Sequence, residues 1–220
     1  RYDVTAIDAH ADKRGDGWTL RGEKFFVLNG HAADHLVVSA RTSGKHGDRN
    51  GISLFVVDID SASTGIELHG YRTIDDRRAS DIVLNGLRLP ATALLGTEGG
   101  AWPSLERARD EGAAAICAEA VGCMRKVLAD TVEYCKQRQQ FGQPIGSFQV
   151  LQHRMVDMYM EVEKSSAAVV LAILRLEDDD TTRARAVSAA KATVGRAAQF
   201  VGQQAVQLHG GMGMTEELAI

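Results

Sequence analysis

The chain has 220 residues, 25% of them charged and 45% hydrophobic, a globular composition long enough to bury a core without disulfide help. A formal net charge of -4 offers no global basic field to nucleic acid or anionic lipid, and no apolar run approaches the roughly 20 residues that span a bilayer. Cys117, Cys123 and Cys135 are an odd set with no Cys-x-x-Cys pair and no flanking ligand histidines, which excludes a disulfide scaffold, assigns no metal and reads as reduced core thiols in a cytoplasmic protein.

The chain opens at Arg1 without a signal-like segment and closes on Ile220 in mid-pattern, so both ends read as cuts in a longer polypeptide. Glycine is denser before residue 100 than after it, and the first half consists of short runs rich in β-branched and aromatic residues. Residues 18–21 and 24–28 flank Gly22-Glu23, which reads as a hairpin. Further strands are expected at 35–39, 52–57 and 81–84, with loops such as 41–48 between them. Arg77-Arg78 beside Asp75-Asp76 reads as a solvated turn. Strands at this spacing with no intervening helix predict an antiparallel sandwich or small barrel.

The period changes near Gly99-Gly100. Ile116, Ala120, Met124, Val127 and Val132 recur at helical spacing, as do Leu151, Met155, Met158 and Val162. Val187, Ala190, Val194, Val201, Ala205 and Leu208 mark a third helix. Residues 106–111 read as the charged first turn of the first helix. Gln143-Pro144-Ile145-Gly146 is expected to end that helix, and residues 178–182 separate the second from the third and cap the third. Helices of about 25 to 30 residues suit a bundle, and three of them call for a fourth partner from further along the chain or from another subunit. The fold class is therefore α+β, with an antiparallel β-domain over 1–98 and an antiparallel, four-helix-bundle type helical domain over 99–220.

Residues 138–149 combine an arginine, a Phe-Gly turn, Pro-Ile-Gly and several amides at a helix–helix corner. A guanidinium there suits a diphosphate, because its fork pairs two phosphate oxygens; spacing alone favours a plain interhelical turn with a surface arginine. Residues 207–214 end the third helix in a glycine cluster, which admits a ligand close to the backbone or simply caps the helix. It is no dinucleotide fingerprint, which needs a strand before it and a helix after it. His209 beside that cluster reads as a ligand contact or as a packing residue, and Phe25 and Phe26 as a stacking platform or as core. There is no Ser/His/Asp order, His-Glu-x-x-His motif or phosphate-binding loop.

Read together, four motifs resemble the acyl-CoA dehydrogenase family from its middle β-domain into its C-terminal helical domain. They are Gly22-x-Lys24-x-x-x-x-Asn29-Gly30, the run Gly51-Ile52-Ser53-Leu54-Phe55-Val56-Val57, the 138–149 stretch and the 207–214 stretch. Gln149-x-Leu151-Gln152-His153-Arg154 and His209-Gly210-Gly211-Met212-Gly213-Met214-Thr215 are similar to the bacterial branch that holds pimeloyl-CoA dehydrogenase small subunits. The resemblance implies that the family's N-terminal helical domain is missing from this stretch. It also implies a dimer of dimers, homo- or hetero-oligomeric, with flavin adenine dinucleotide (FAD) at a subunit interface. Arg138, Gln140, Phe141, Phe148 and Gln149 match the stretch on the adenine and diphosphate end of a neighbour's FAD. Gln207, Leu208, His209, Gly210 and Gly211 match a second stretch on it. Phe26 and Leu28 match positions that meet the flavin ring, where relatives often carry Trp and Thr, and residues 2–5 match a segment lining flavin and thioester.

The implied chemistry is α,β-dehydrogenation of an acyl-CoA in fatty acid or lipid metabolism, with a carboxylate as base, flavin N5 as hydride acceptor and electron-transfer flavoprotein as the onward electron acceptor. The usual base position falls beyond Ile220. The position used by a minority of the family is Gly112; Glu111 beside it is the candidate within the chain, though turned by about 100° on a helix. Asp110 matches a substrate-contact position, while the arginine usual three residues later is Ala113. Two other outcomes share this fold: a flavin-dependent monooxygenase or oxidase, and a non-catalytic partner subunit that completes an FAD site.

Overall fold

Seven strands lead the chain and three long helices follow in a computed structural model that describes residues 3–59 and 64–215. The chain divides into two compact units, residues 1–106 and 107–220. The strands are β1 (His10–Arg14), β2 (Gly17–Leu28), β3 (His35–Arg41), β4 (Ile52–Asp58), β5 (Ile66–Arg72), β6 (Arg78–Pro90) and β7 (Leu94–Leu95). They form one sheet in the order β5-β6-β2-β1-β3-β4-β7. Neighbours run antiparallel, except that β1 meets β3 parallel at His10 and Arg41. The rings of Trp18 on β2 and Phe55 on β4 nevertheless meet edge to face, 5.3 Å apart. In a flat sheet those strands, three positions apart, would be separated by about 14 Å. The sheet must therefore curl over on itself, and Trp18, Leu20, Val38, Ile52, Phe55 and Leu84 fill the core that it encloses.

Gly22-Glu23 is not a hairpin. Both residues lie inside β2, and the chain reverses earlier, through Gly15-Asp16, with Arg14 paired to Gly17. Gly22 is needed for a different reason: a Cβ there would stand 2.6 Å from the Cα of Ala9, so it admits a crossing backbone. Strands β1 and β5 went unread because their sequences, His-Ala-Asp-Lys-Arg and Ile-Glu-Leu-His-Gly-Tyr-Arg, carry little apolar alternation. The Arg77-Arg78 turn is as expected and joins β5 to β6.

The helices are α1 (Trp102–Gln137), α2 (Gln149–Leu174) and α3 (Asp180–His209). Asp179 caps α3, its carboxylate accepting from the Thr181 and Thr182 amides at 3.0 Å each, as such a residue should. Three expectations need correction. Because α1 starts at Trp102, residues 106–111 lie beyond its first turn. It also ends at Gln137, before Pro144, and a two-stranded ribbon, β8 (Gln139–Gln140) with β9 (Gln143–Pro144), takes up the intervening chain. Finally, Ile116 is 57% exposed, and the buried seam runs through Asp110, Ala114, Cys117, Val121, Met124, Thr131 and Cys135. Buried Met158 and Val162 of α2 and Val187, Ala190, Val194, Val201, Ala205 and Leu208 of α3 follow the expected spacing. Cys117 and Cys135 are core thiols, pushed up in pKa by burial, whereas Cys123 is exposed. Among the described residues no helix is long and apolar enough to cross a membrane.

One charge inside the sheet unit sets up a test of this packing. Lys24 on β2 reaches Ser39 on β3, its Nζ donating to the hydroxyl at 3.2 Å. Burial depresses its ammonium from 10.5 to about 8, with Asp8 opposing the shift. The folded chain therefore holds fewer protons than the unfolded chain between those two values, and stability from this group rises with pH across that window. Below about 8 the ammonium is charged in both states and its burial is a constant cost. Lys24→Met is expected to melt above the parent at pH 7, the gap narrowing as pH approaches 10.5. A gap that stays constant with pH in thermal melts would contradict this.

Candidate functional site

On the sheet unit the candidate surface is built by a bulge. The register of β2 against β6 shifts between Lys24 and Val27, so Phe25 and Phe26 are extruded and exposed. Phe26 has φ 56, a left-handed conformation that costs a side-chain-bearing residue energy and calls for something to hold it. Asp81 on β6 supplies the restraint. Its Oδ1 accepts from the Phe26 amide at 2.9 Å and from the Tyr71 hydroxyl at 3.1 Å. Phe26, Leu28 and Tyr71 are left at the surface as an apolar and aromatic face. Asp81 and Tyr71 were not legible as site residues, because their roles depend on cross-strand register. Of residues 2–5, Tyr2 lies outside the described residues; Asp3 accepts from the Thr5 amide at 2.8 Å, and the Thr5 carbonyl accepts from Arg41 at 2.8 Å.

In the helical unit, residues 138–149 form a rigid corner. Phe141 and Gly142, between β8 and β9, have φ 58 and 78, the mirror-image turn that matches the twist of a two-residue hairpin. The Ile145 amide donates to the Arg138 carbonyl at 2.8 Å, closing the corner. A Cβ at Gly146 would stand 3.0 Å from the Cys135 carbonyl oxygen, so this glycine lets the corner seat against the end of α1. Phe141 is 90% exposed, its ring edge-on to that of Phe148 at 6.1 Å. Arg138, Gln140 and Gln149 are exposed as well. Among the described residues the Arg138 guanidinium has no ion-pair partner.

The end of α3 meets this corner through Tyr134. The Tyr134 ring packs on the His209 ring at 4.3 Å, and its hydroxyl donates to the His209 carbonyl at 3.4 Å. The Tyr134 carbonyl in turn accepts from the Arg138 amide at 2.8 Å. His209 is only 4% exposed, with Nδ1 at 2.9 Å from the Ala205 carbonyl, which is the packing alternative of the two open for it. Leu208 is also core, so of the second stretch Gln207, Gly210 and Gly211 face solvent. Gly210 at φ 60 ends the helix. The structure thus brings the two glycine-bearing stretches to one end of the helical unit, and Tyr134, which joins them, was missed from sequence.

Asp110 and Glu111 lie elsewhere. They are some 27 residues before Arg138, which follows the end of α1, and so lie about 40 Å away along the axis of that helix. The Asp110 carboxylate is buried and accepts from Arg183 Nε at 3.1 Å and from Arg109 at 2.9 and 3.0 Å. Arg183 is buried too and reaches Asp180 at 2.9 Å. Glu111 accepts from Arg107 at 2.6 Å, and the same guanidinium holds Glu177 at 2.6 Å. At Gly112 a Cβ would meet nothing within 4 Å, so the space for a side chain is there but the side chain is not.

Comparison with known proteins gives the same two-part division. Residues 1–86 match the family model "Acyl-CoA dehydrogenase, middle domain" and residues 100–220 match "Acyl-CoA dehydrogenase, C-terminal domain". The short-chain specific acyl-CoA dehydrogenase of Megasphaera elsdenii is 32% identical over 99% of this chain and 57% of its own length. The butyryl-CoA dehydrogenase structure from Megasphaera elsdenii superposes with TM-score 0.89 at 30% identity, over 99% of this chain and 58% of that one. The FAD complex of PigA superposes with TM-score 0.90 at 27% identity, over 99% of this chain and 56% of its own. The chain therefore spans a little over half the length of the relatives that it matches.

Phe141 gives the corner a measurable trade-off. Left-handed backbone at a residue with a bulky side chain costs about 1–2 kcal/mol, and Asn-Gly is the preferred pair for this turn. Phe141→Asn is expected to stabilise the protein by about 1 kcal/mol in urea unfolding. An unchanged or lowered midpoint would show that the Phe141 ring contributes more to folding than its exposure indicates.

Proposed function

Because the chain belongs to the acyl-CoA dehydrogenase family, we propose that it serves FAD-dependent α,β-dehydrogenation of an acyl-CoA thioester, with the cofactor shared between subunits. The carrying observation is the Arg138 corner: an exposed guanidinium with no ion-pair partner among the described residues, on a turn closed by its own backbone, beside an aromatic pair and a glycine turn. These residues fit a dinucleotide. Arg138 would pair diphosphate oxygens through its fork, Phe141 and Phe148 would border the adenine, and Gly210 and Gly211 would let backbone approach. On the sheet unit Phe26, Leu28 and Tyr71 offer a face for a flat ring system. Leu28 brings no hydroxyl to that face, so flavin hydrogen bonding there falls to backbone.

When bound, FAD supplies the two-electron oxidation, accepting hydride from the β-carbon as a carboxylate takes the α-proton. The part of this chain is to bind and orient. Asp81 holds Phe26 in its left-handed conformation, and Tyr134 holds the corner against α3. Asp110 and Glu111 are both engaged by arginines, which supports assigning the base to neither and seeking it elsewhere in the whole protein. Electron-transfer flavoprotein is the proposed onward acceptor.

Sharing between subunits is supported by the length of α1. With 36 residues it extends about 54 Å, and the Asp110 region and the Arg138 corner lie toward its opposite ends. One dinucleotide does not bridge them, so each copy would serve two cofactors. A second apolar stripe on α2, with Val156, Tyr159, Met160, Val170, Leu171 and Leu174 exposed, supports coverage by another copy.

Flavin titration of apo full-length protein tests this reading. Arg138→Ala is expected to weaken FAD binding about ten- to hundredfold, the loss of one charge-assisted pair. Arg138→Lys would restore only part of it, since an ammonium lacks the fork. Unchanged affinity in a folded, normally assembled Arg138→Ala protein would make the arginine an ordinary surface residue.

A further inference from the structure

The sheet unit carries a second feature that none of the stretches above uses. Where β1, β2 and β6 lie side by side, a concavity of about 470 Å³ opens, with Trp18, Thr19 and Leu89 among its lining. Glycines leave it open at two positions, for separate reasons. Gly17 is pressed against β6, where a Cβ would stand 2.4 Å from the Leu89 carbonyl oxygen. Gly86, at φ 74, is the extra residue where the β2–β6 register shifts between Leu20 and Arg21. Around the concavity stand Arg14, Arg21 and Arg88, with Thr19 between them and Asp16 on the turn. Thr19 pairs directly with Arg88 across one ladder.

Three arginines against Asp16 and Asp12 leave a local excess of one positive charge in a chain whose net charge is -4. Arg21 has Asp12 only at 4.0 Å, and among the described residues Arg14 and Arg88 have no ion-pair partner. On the same unit Arg72 sits on Asp76 at 2.9 Å and Arg77 on Asp75 at 3.4 Å, while Arg41 is held by backbone carbonyls and Arg49 lies over the Trp102 ring. Three guanidinia about one hollow repel one another unless an anion lies among them. Each fork pairs two oxygens, so three forks offer more donors than one phosphate group fills and suit two linked phosphates. The volume falls in the range of about 300–1,000 Å³ usual for small-molecule sites.

We propose that the Arg14–Arg21–Arg88 concavity binds a small diphosphate-bearing anion. Thr19 adds a hydroxyl donor at the floor, and Asp16 sets a repulsive rim that disfavours excess negative charge. The site lies seven residues along β2 from Phe26, about 23 Å at strand rise, so it does not depend on the flavin reading. Two sources share the chemistry, an inorganic diphosphate and the diphosphate of a nucleotide.

The test is calorimetric titration of the full-length protein with inorganic pyrophosphate and, separately, with ADP, with sulfate as the control for simple anion attraction. Saturable 1:1 binding is expected, with Arg88→Gln and Arg21→Gln each weakening it about tenfold or more. Asp16→Asn should tighten it severalfold, a gain that a purely structural role for these residues does not produce. Arg138→Ala should leave it unchanged. Pyrophosphate binding without ADP binding would name the inorganic anion, and comparable or tighter ADP binding would name a nucleotide. Absence of saturable binding of either probe up to millimolar concentration would overturn the proposal. So would equal affinity for sulfate, unchanged affinity in folded Arg88→Gln, or loss of binding in Arg138→Ala.

Discussion

The contact of Tyr134 with His209 decides what the helical unit can present. It joins the last turn of α1 to the last turn of α3 through ring packing and a hydroxyl-to-carbonyl bond, and the Tyr134 carbonyl accepts from the amide of Arg138, the first residue past α1. A corner and a glycine turn far apart in sequence thereby become one surface. The price in polar burial is small, since the His209 ring nitrogen meets the Ala205 carbonyl and the imidazole packs like any aromatic side chain. A surface of this kind is rigid because its backbone is bonded to itself, and a rigid surface holds a guanidinium fork at low entropic cost.

Toward the other end of α1 the binding force is charge. Asp110 and Arg183 face each other while both are almost wholly out of water. Removing one partner of such a pair leaves the other uncompensated, at a cost of about 3–5 kcal/mol. Arg109 and Asp180 satisfy the remaining donors and acceptors, so the group reads as a lock on the register of α1 against α3. Held in this way, the Asp110 carboxylate is a packing group of the helical unit. Between these two anchors the buried seam of α1 runs through Ala114, Cys117, Val121, Met124 and Thr131, with the small residues at its Asp110 end permitting close helix approach.

The fold class was legible because period two gives way to period 3.6 near Gly99-Gly100, and the α3 stripe could be read residue by residue. Other elements were hidden for physical reasons. Gly22 looks like a turn residue, yet glycine also serves where backbones cross, and only the neighbouring strand shows which applies. Of the expected α1 stripe Met124 is buried, but Ile116 is exposed and the seam near it runs instead through the smaller Ala114 and Cys117. Ile116, like the outer stripe of α2, is left exposed among the described residues, so residue size marked a surface feature instead of the core. At the candidate site, Arg138 and the glycines stood out by type. Tyr134, Asp81 and Tyr71 act through partners 75, 55 and 10 residues away, and separation in sequence conceals such roles.

Two surfaces, each organised around a phenylalanine in left-handed backbone, are the parts that this chain is proposed to contribute to a flavin site shared between copies. The most direct measurement mixes two full-length variants that each fail to retain FAD, one altered at Arg138 and one altered at Phe26 and Leu28, after dissociation and reassembly. If the two surfaces serve the same cofactor from different subunits, mixed dimers regain one intact site of two, and flavin content returns to about a quarter of the parent value for random pairing in a two-fold assembly. Flavin content that stays at the level of the separate variants, despite demonstrated subunit exchange, would contradict the account.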